Sequence, residues 1–271
     1  MTVGWDEGLD WPGLPPLSGP MTVDACVVGL GGSGLAAVEE LAARGLSVVG
    51  VDAGRVAAGA AGRNGGFMLG GGAPFLHDAI ARWGTEPAVS LYRATLHELD
   101  RLADTLGPDV IHRVGSIRLA GLPGAPDGPG ARDTAELADC AAHEAALREH
   151  GIAVERYDGE LGQGLYLPDD AAMNPARRAT GLAAALDGRA ALHEHTPVST
   201  VDSKRVVTER GVISAGVVIV AVDGQLDVLL PQLGDRVRTA RLQMLATAPV
   251  DRKSTRLNSS HSSPSRMPSS A

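Results

Sequence analysis

The sequence is short of several things that would point to familiar functions. Aromatic side chains make up 3% of its 271 residues, and Lys204 and Lys253 are the only lysines among 24 basic residues. Acidic residues number 32, so the net charge is −8. Nucleic-acid binders and proteins of anionic membrane surfaces both rest on clustered cations, so this balance argues against either partner. Two cysteines, Cys26 and Cys140, are too few for a disulfide framework or a cysteine metal site. The longest purely apolar run, Val217 to Val222, falls far short of the ~20 residues of a membrane span. The first residues carry Asp6, Glu7 and Asp10 and no Lys or Arg before Arg44, unlike a signal peptide. The expectation is a cytoplasmic protein with no membrane span and no nucleic-acid partner.

What is present is a globular composition, 44% hydrophobic, with an excess of glycine at 35 residues. The length allows about two domains. Residues 1–22, rich in Pro and Gly, read as an irregular arm whose Trp5 and Trp11 dock on the body. Val23–Gly29 is a buried-strand pattern. Ser33–Arg44 has helical spacing (Leu35, Val38, Leu41, Ala42) with Gly45 as its cap, and Leu46–Val51 is a second buried strand. This is a βαβ unit. The Gly/Ala-rich stretch 53–74 has no apolar period, and such a long loop is usually functional. Glu86–Leu106 is an amphipathic helix with Val89, Tyr92, Leu96, Leu99, Leu102 and Leu106 on one stripe. A strand follows at Val114–Ala120, a Pro/Gly loop at Gly121–Gly130, and helices at Asp133–His150 and Pro175–Leu186. Pro197–Val201, Arg205–Thr208, Val212–Ser214 and Val217–Val222 read as four short strands, with a hairpin turn at Glu209–Gly211.

The strongest chemical signal is Gly29-Leu30-Gly31-Gly32-Ser33-Gly34, a G-x-G-x-x-G between a predicted strand and a predicted helix. Gly29 permits the tight turn, Gly31 and Gly32 let a pyrophosphate reach the backbone, and Gly34 lets helix and strand pack closely. The free N–H groups at the helix start, Ser33 among them, face the phosphates. Asp52, followed by Ala53, ends the next strand near the expected ~20-residue offset and would accept hydrogen bonds from ribose hydroxyls. This pattern alone leaves NAD and FAD both open.

The segment Ala57-Ala58-Gly59-Ala60-Ala61-Gly62-Arg63-Asn64-Gly65-Gly66 resembles the G-A-S-G-R-N-G-G signature of FAD-dependent amine and amino-acid oxidoreductases of the D-amino-acid oxidase-like superfamily, closest to its γ-glutamylputrescine oxidase-like branch. Ala61 stands where the family usually has Ser. The resemblance implies that Ala61, Gly62, Arg63, Asn64, Gly65 and Gly66 run along the cofactor. It continues in Leu167–Pro175, in His195-Thr196-Pro197-Val198, where the Val198 backbone would bracket the adenine, in Val217–Gly224, which places Ala221 at the cofactor, and in Arg241–Pro249.

The resemblance implies an α/β fold. A Rossmann-like FAD-binding domain (23–85 and 171–232) interleaves with an α+β substrate domain (86–170 and 233–250) that has an antiparallel sheet. It also implies hydride transfer from an amine or amino acid to FAD, with O₂ or another electron acceptor as the second partner and no catalytic residue assigned. Residues 251–271 hold eight Ser and three hydrophobic residues, and without them the chain has 20 basic against 31 acidic residues. Lys253–His261 and Ser265–Ala271 resemble translated sequencing-adapter sequence, which predicts a non-native tail, a substrate domain incomplete at the C-terminus and an inactive fragment as the alternative function. A NAD-dependent dehydrogenase is the other alternative.

Weaker candidates carry no site. His193 and His195 alternate on a predicted strand with no Cys or carboxylate at ligand spacing, so no metal is expected. Ser33 and Ser116 lack a G-x-S-x-G setting. Cys26 reads as a core residue, and His77 and Trp83, which follow the flavin loop, read as packing residues, with the border of a substrate pocket as the alternative.

Overall fold

The computed structural model describes residues 4–121 and 131–237. The apolar run opening the βαβ unit forms strand β1 (Met21–Val28), helix α1 (Gly32–Ala43) follows, and β2 (Val48–Val51) closes it. A two-residue strand β3 (Phe67–Met68) and helices α2 (Leu76–Trp83) and α3 (Thr85–Leu106) come next. They lead to β4 (Ile111–His112), β5 (Ser116–Leu119) and α4 (Ala131–Glu149). A hairpin of β6 (Glu155–Gly159) and β7 (Gly162–Leu167) precedes β8 (Ala171–Met173) and α5 (Pro175–Ala184). The chain then forms β9 (Ala191–His193), β10 (Val198–Val201), β11 (Arg205–Thr208), β12 (Gly211–Val220) and the short α6 (Leu226–Leu229).

The largest sheet runs β10-β11-β12-β1-β2-β9, parallel from β12 to β9 and antiparallel across β10, β11 and β12. Two three-stranded antiparallel sheets, β3-β8-β4 and β5-β7-β6, stand beside it. The fold is therefore mixed α/β. Strand β1 explains why its sequence is apolar without alternation. Ala25 and Val27 enter one core with Leu35 and Val38 of α1, Leu99 and Leu102 of α3, and Ala179 and Leu182 of α5. Cys26 and Val28 enter a second core on the other face with Val49, Val51, Val206 and Ile213. A third core joins α2, α3, α4 and β7 through Leu76, Tyr92, Leu147 and Leu165.

Several expectations change. Val212–Ser214 and Val217–Val222 are one strand, not two. Residues 211–214 pair antiparallel with β11 and 213–220 pair parallel with β1, so the two ladders overlap at 213–214 and pairing with β1 on either side of Gly216 carries the strand on. Helix α2 and the β6–β7 hairpin were not anticipated; β6 is exposed along most of its length and shows no apolar alternation to read. His193 and His195 do not share a strand, because His195 leaves β9 at φ 48°. Among the described residues no group of three or more His, Cys, Asp or Glu is placed to hold a metal, and no helix is long and apolar enough to cross a membrane. Most of the 121–130 loop, the 241–249 strand and the 251–271 segment lie outside the described residues.

His143 on α4 is 5% exposed, stacks on Phe75 at 4.5 Å, and its Nδ1 accepts a hydrogen bond from the Leu76 N–H at 3.1 Å. Burial, helped by the electrostatic influence of His77 and of the Arg118 guanidinium, pushes its pKa down to about 4. An unfolded histidine takes up its proton near 6.5, so between about pH 6.5 and 4 the unfolded chain binds a proton that the folded one refuses. Stability should fall by up to about 3 kcal/mol as pH drops through that window. Urea midpoints at pH 7 and pH 4.5 test this, and His143→Asn should flatten the difference.

Candidate functional site

The carboxyl ends of β1, β2 and β12 open on one cavity of about 990 Å³. Neighbouring backbone bonds set its rim: Gly29 N–H donates to Val51 O at 2.8 Å, and Ala221 N–H donates to Val28 O at 2.7 Å. Gly29 turns the chain with φ +99°, and a Cβ there would lie 2.4 Å from Ala221 O. Helix α1 then starts at Gly31, an N-cap with no side chain to occupy the first N–H groups. Those groups sit in the cavity wall, where the helix dipole favours an anion. Gly34 faces inward, and a Cβ there would lie 1.8 Å from Gly29 O. It lets α1 pack on β1 and sets the angle at which α1 meets the cavity.

Asp52 ties the opposite side. Its Oδ2 accepts from Leu30 N–H at 2.8 Å and its Oδ1 from Gly54 N–H at 2.9 Å. Its backbone oxygen accepts from Thr196 N–H at 2.8 Å. One residue thus fixes the turn after β1, the loop after β2 and the segment after β9. Each carboxylate oxygen keeps a lone pair for a hydroxyl donor.

Of the fifteen residues singled out from the sequence, nine line this cavity: Gly29, Gly31, Gly32, Ser33, Asp52, Ala53, Ala61, Val198 and Ala221. Six do not. Gly34 is a packing residue, and Gly62 packs on Ala57, its missing Cβ falling 2.1 Å from Ala57 O. Arg63 and Gly65 are exposed. Asn64 folds back on its own loop, donating from Nδ2 to Ala60 O and Ala61 O and accepting the Gly66 N–H at Oδ1. Its backbone oxygen accepts from Trp5 Nε1 at 3.0 Å. Residues 60–66 thus form a loop braced by the Asn64 side chain.

Sequence reasoning missed Arg55, which lines the cavity 3.8 Å from Asp6, and Val228 and Leu229, which α6 brings to its edge. It also missed Glu194. This carboxylate is 1% exposed and accepts from Trp11 Nε1 (2.8 Å), Leu14 N–H (3.0 Å) and Val56 N–H (2.8 Å). It locks the arm and the cavity loop to the end of β9. Nothing periodic marks it, since it is one acid between two histidines. Both cysteines lie away from the cavity, and burial pushes the Cys26 thiol up to about 12.

A parallel sheet whose central strand feeds an uncapped, glycine-lined helix N-terminus, with an acid at the end of the next strand, defines a dinucleotide-binding α/β protein. The match to the family model "FAD dependent oxidoreductase" (DAO) covers residues 24–270. The chain belongs to this family, and its cofactor is FAD. It is 36% identical over 87 residues to the probable oxidoreductase OrdL of Haemophilus influenzae. It is similar in fold to an L-amino acid deaminase from Proteus vulgaris (TM-score 0.63, 16% identity, 82% of this chain and 60% of that one). A glycine oxidase from Geobacillus kaustophilus is also similar (TM-score 0.55, 22% identity, 79% of this chain and 58% of that one). The chain spans 20% of the length of the curated relative and less than two thirds of each of these solved chains.

Two substitutions test the site's framework. Gly34→Ala forces a methyl group into the Gly29 carbonyl and should cost at least about 3 kcal/mol in denaturant unfolding. Glu194→Gln keeps the shape but turns two acceptor oxygens into one and should cost about 1–3 kcal/mol. It should also free Trp11, read as a red shift of tryptophan emission.

Proposed function

We propose that this protein is an FAD-dependent oxidoreductase acting on the C–N bond of an amine or amino acid. The observation that carries the reading is the cavity where the uncapped start of α1 and the Asp52 carboxylate face the same space. The residues fit the cofactor. The N–H groups of Gly32 and Ser33 would hold its diphosphate, and the small residues Ala53, Ala61 and Ala221 would leave room for it. Asp52 would take the hydrogens of the ribose hydroxyls, and Val198 would flank the adenine.

When bound, FAD would supply at its N5 a two-electron acceptor for a hydride from the carbon next to the substrate nitrogen. The chain's part is to hold that carbon in place and keep water out. The substrate would lose a proton from nitrogen as the hydride leaves, and the resulting imine would hydrolyse in water. O₂ or another acceptor would then take the electrons. The resemblance of the Ala57–Gly66 sequence supports placing the chain near the γ-glutamylputrescine oxidase-like branch. We assign segments 23–85 and 171–232 to the cofactor and 86–170 to the substrate. In support, β1 and β2 share a sheet with β9 to β12, while α3, α4 and β7 share a second core that α2 of the first segment joins.

The test is reconstitution of the full chain with FAD, followed by flavin fluorescence and absorbance. The protein should bind FAD, and an amine or amino-acid substrate should bleach it under anaerobic conditions. Asp52→Asn should weaken FAD binding by roughly 10- to 100-fold, the worth of a hydrogen bond to a charged acceptor. Tight binding of a nicotinamide dinucleotide with none of FAD would defeat the reading.

A further inference from the structure

We propose that Arg178, on α5, is a cofactor-binding residue whose guanidinium takes the diphosphate of the dinucleotide at the start of α1. This rests on the FAD reading above and names a contact that the glycine-rich motif does not contain.

The guanidinium lies against the turn from the side. Arg178 Nη1 is 3.5 Å from where a Cβ on Gly32 would stand, and Gly32 is a wall residue at the first position of α1. Helix α5 is held in place independently of any ligand. Asn174 caps it by accepting the Ala176 and Arg177 N–H groups, and its inward residues Ala176, Ala179 and Leu182 are buried in the main core. The position of Arg178 is therefore fixed by the fold.

That position is costly for a cation. The side chain is half-buried, and it forms no hydrogen bond or ion pair with any described residue. Its nearest opposite charge, Glu98, is already engaged by Arg101, which bonds both of its oxygens at 2.8 Å. Arg101 itself also binds Glu39 on α1, so the neighbourhood holds a second cation. Burial depresses the Arg178 pKa, the sign of a charge stripped of water without full compensation. The positive end of the α1 dipole repels it further. An anion at the helix start reverses each of these terms at once. It accepts the idle N–H donors, neutralises the charge and satisfies the helix end, and the fork of a guanidinium matches phosphate oxygens.

The test compares wild type, Arg178→Gln and Arg178→Lys as full chains freed of flavin, titrated with FAD, ADP and adenosine. The expected result is that Arg178→Gln binds FAD and ADP about tenfold or more weakly, the loss of one charge-assisted contact. Adenosine, which lacks phosphate, should bind the variant and wild type alike. Arg178→Lys should recover part of the loss, and the salt dependence of ADP binding should be shallower in Arg178→Gln. In the absence of ligand, Arg178→Gln should melt at or above the wild-type temperature, because it removes an unpaired cation; a purely structural arginine would lower it. Wild-type binding of ADP with Arg178→Gln within twofold of it overturns the role of Arg178 and leaves the cofactor reading intact. Wild type that binds neither FAD nor ADP overturns both.

Discussion

The cavity depends on a single buried carboxylate. Glu194 sits at the end of β9 and gathers three donors that the chain brings from far apart: the indole of Trp11, the N–H of Leu14 and the N–H of Val56. Burying a carboxylate is expensive, and only full hydrogen bonding makes it tolerable. Here the three donors tie the arm and the loop after β2 to the end of β9, beside the contacts that Trp11, Leu14 and Val56 make with the main core. The arm gains further anchors from Leu17 N–H to Thr196 Oγ1 and from Trp5 Nε1 to Asn64 O. The loop after β2 therefore holds its shape without an apolar period, and that loop is one side of the cavity.

The other side follows from sheet topology. In a parallel sheet, the loops after neighbouring strands diverge where the chain order reverses, and a crevice opens there. Strand β1 lies between β12 and β2, so the turn after β1 faces loops coming from both directions. Asp52 closes the crevice at its base by bonding Leu30 and Gly54, and it leaves the uncapped amides of α1 pointing at open space. The same geometry explains why the glycines at 29 and 34 are needed. One permits the turn and the other the close packing that aims the helix.

These two features were unequally legible in the sequence. The βαβ unit could be read because buried parallel strands are apolar throughout and the glycine spacing has a steric cause. Asp52 could be read from its place after the second strand. Glu194, Arg55 and Arg178 could not, because a single charged residue gives no periodic signal and its meaning depends on which distant segment it meets. Arg63 and Asn64 lie outside the cavity lining for a different reason. The motif was seen, but a motif shows that backbone must be small and turned, not which side chains face the ligand. Asn64 spends both ends of its amide on its own loop. Likewise β12 looked like two strands because Ser214, Ala215 and Gly216 interrupt the apolar run, whereas pairing with β1 on either side of Gly216 keeps it whole.

The cavity wall also bears on where the chemistry resides. Among the described residues it presents backbone amides, apolar side chains, the hydroxyls of Ser33, Thr196 and Ser199, Asp52, Asp223 and Arg55, with neither cysteine nor any histidine in its lining. Such a wall can hold charge, hydroxyls and a flat ring, but its residues make a poor set of nucleophiles or proton shuttles. A protein that lends geometry and a tuned field to a bound redox group needs no more than this. The cost then shifts from reactive side chains to pre-organisation: the uncapped amides at the start of α1 face the cavity with no protein group to accept from them. Binding energy recovered from those groups is what would fix the cofactor, and with it the position of any substrate laid against it.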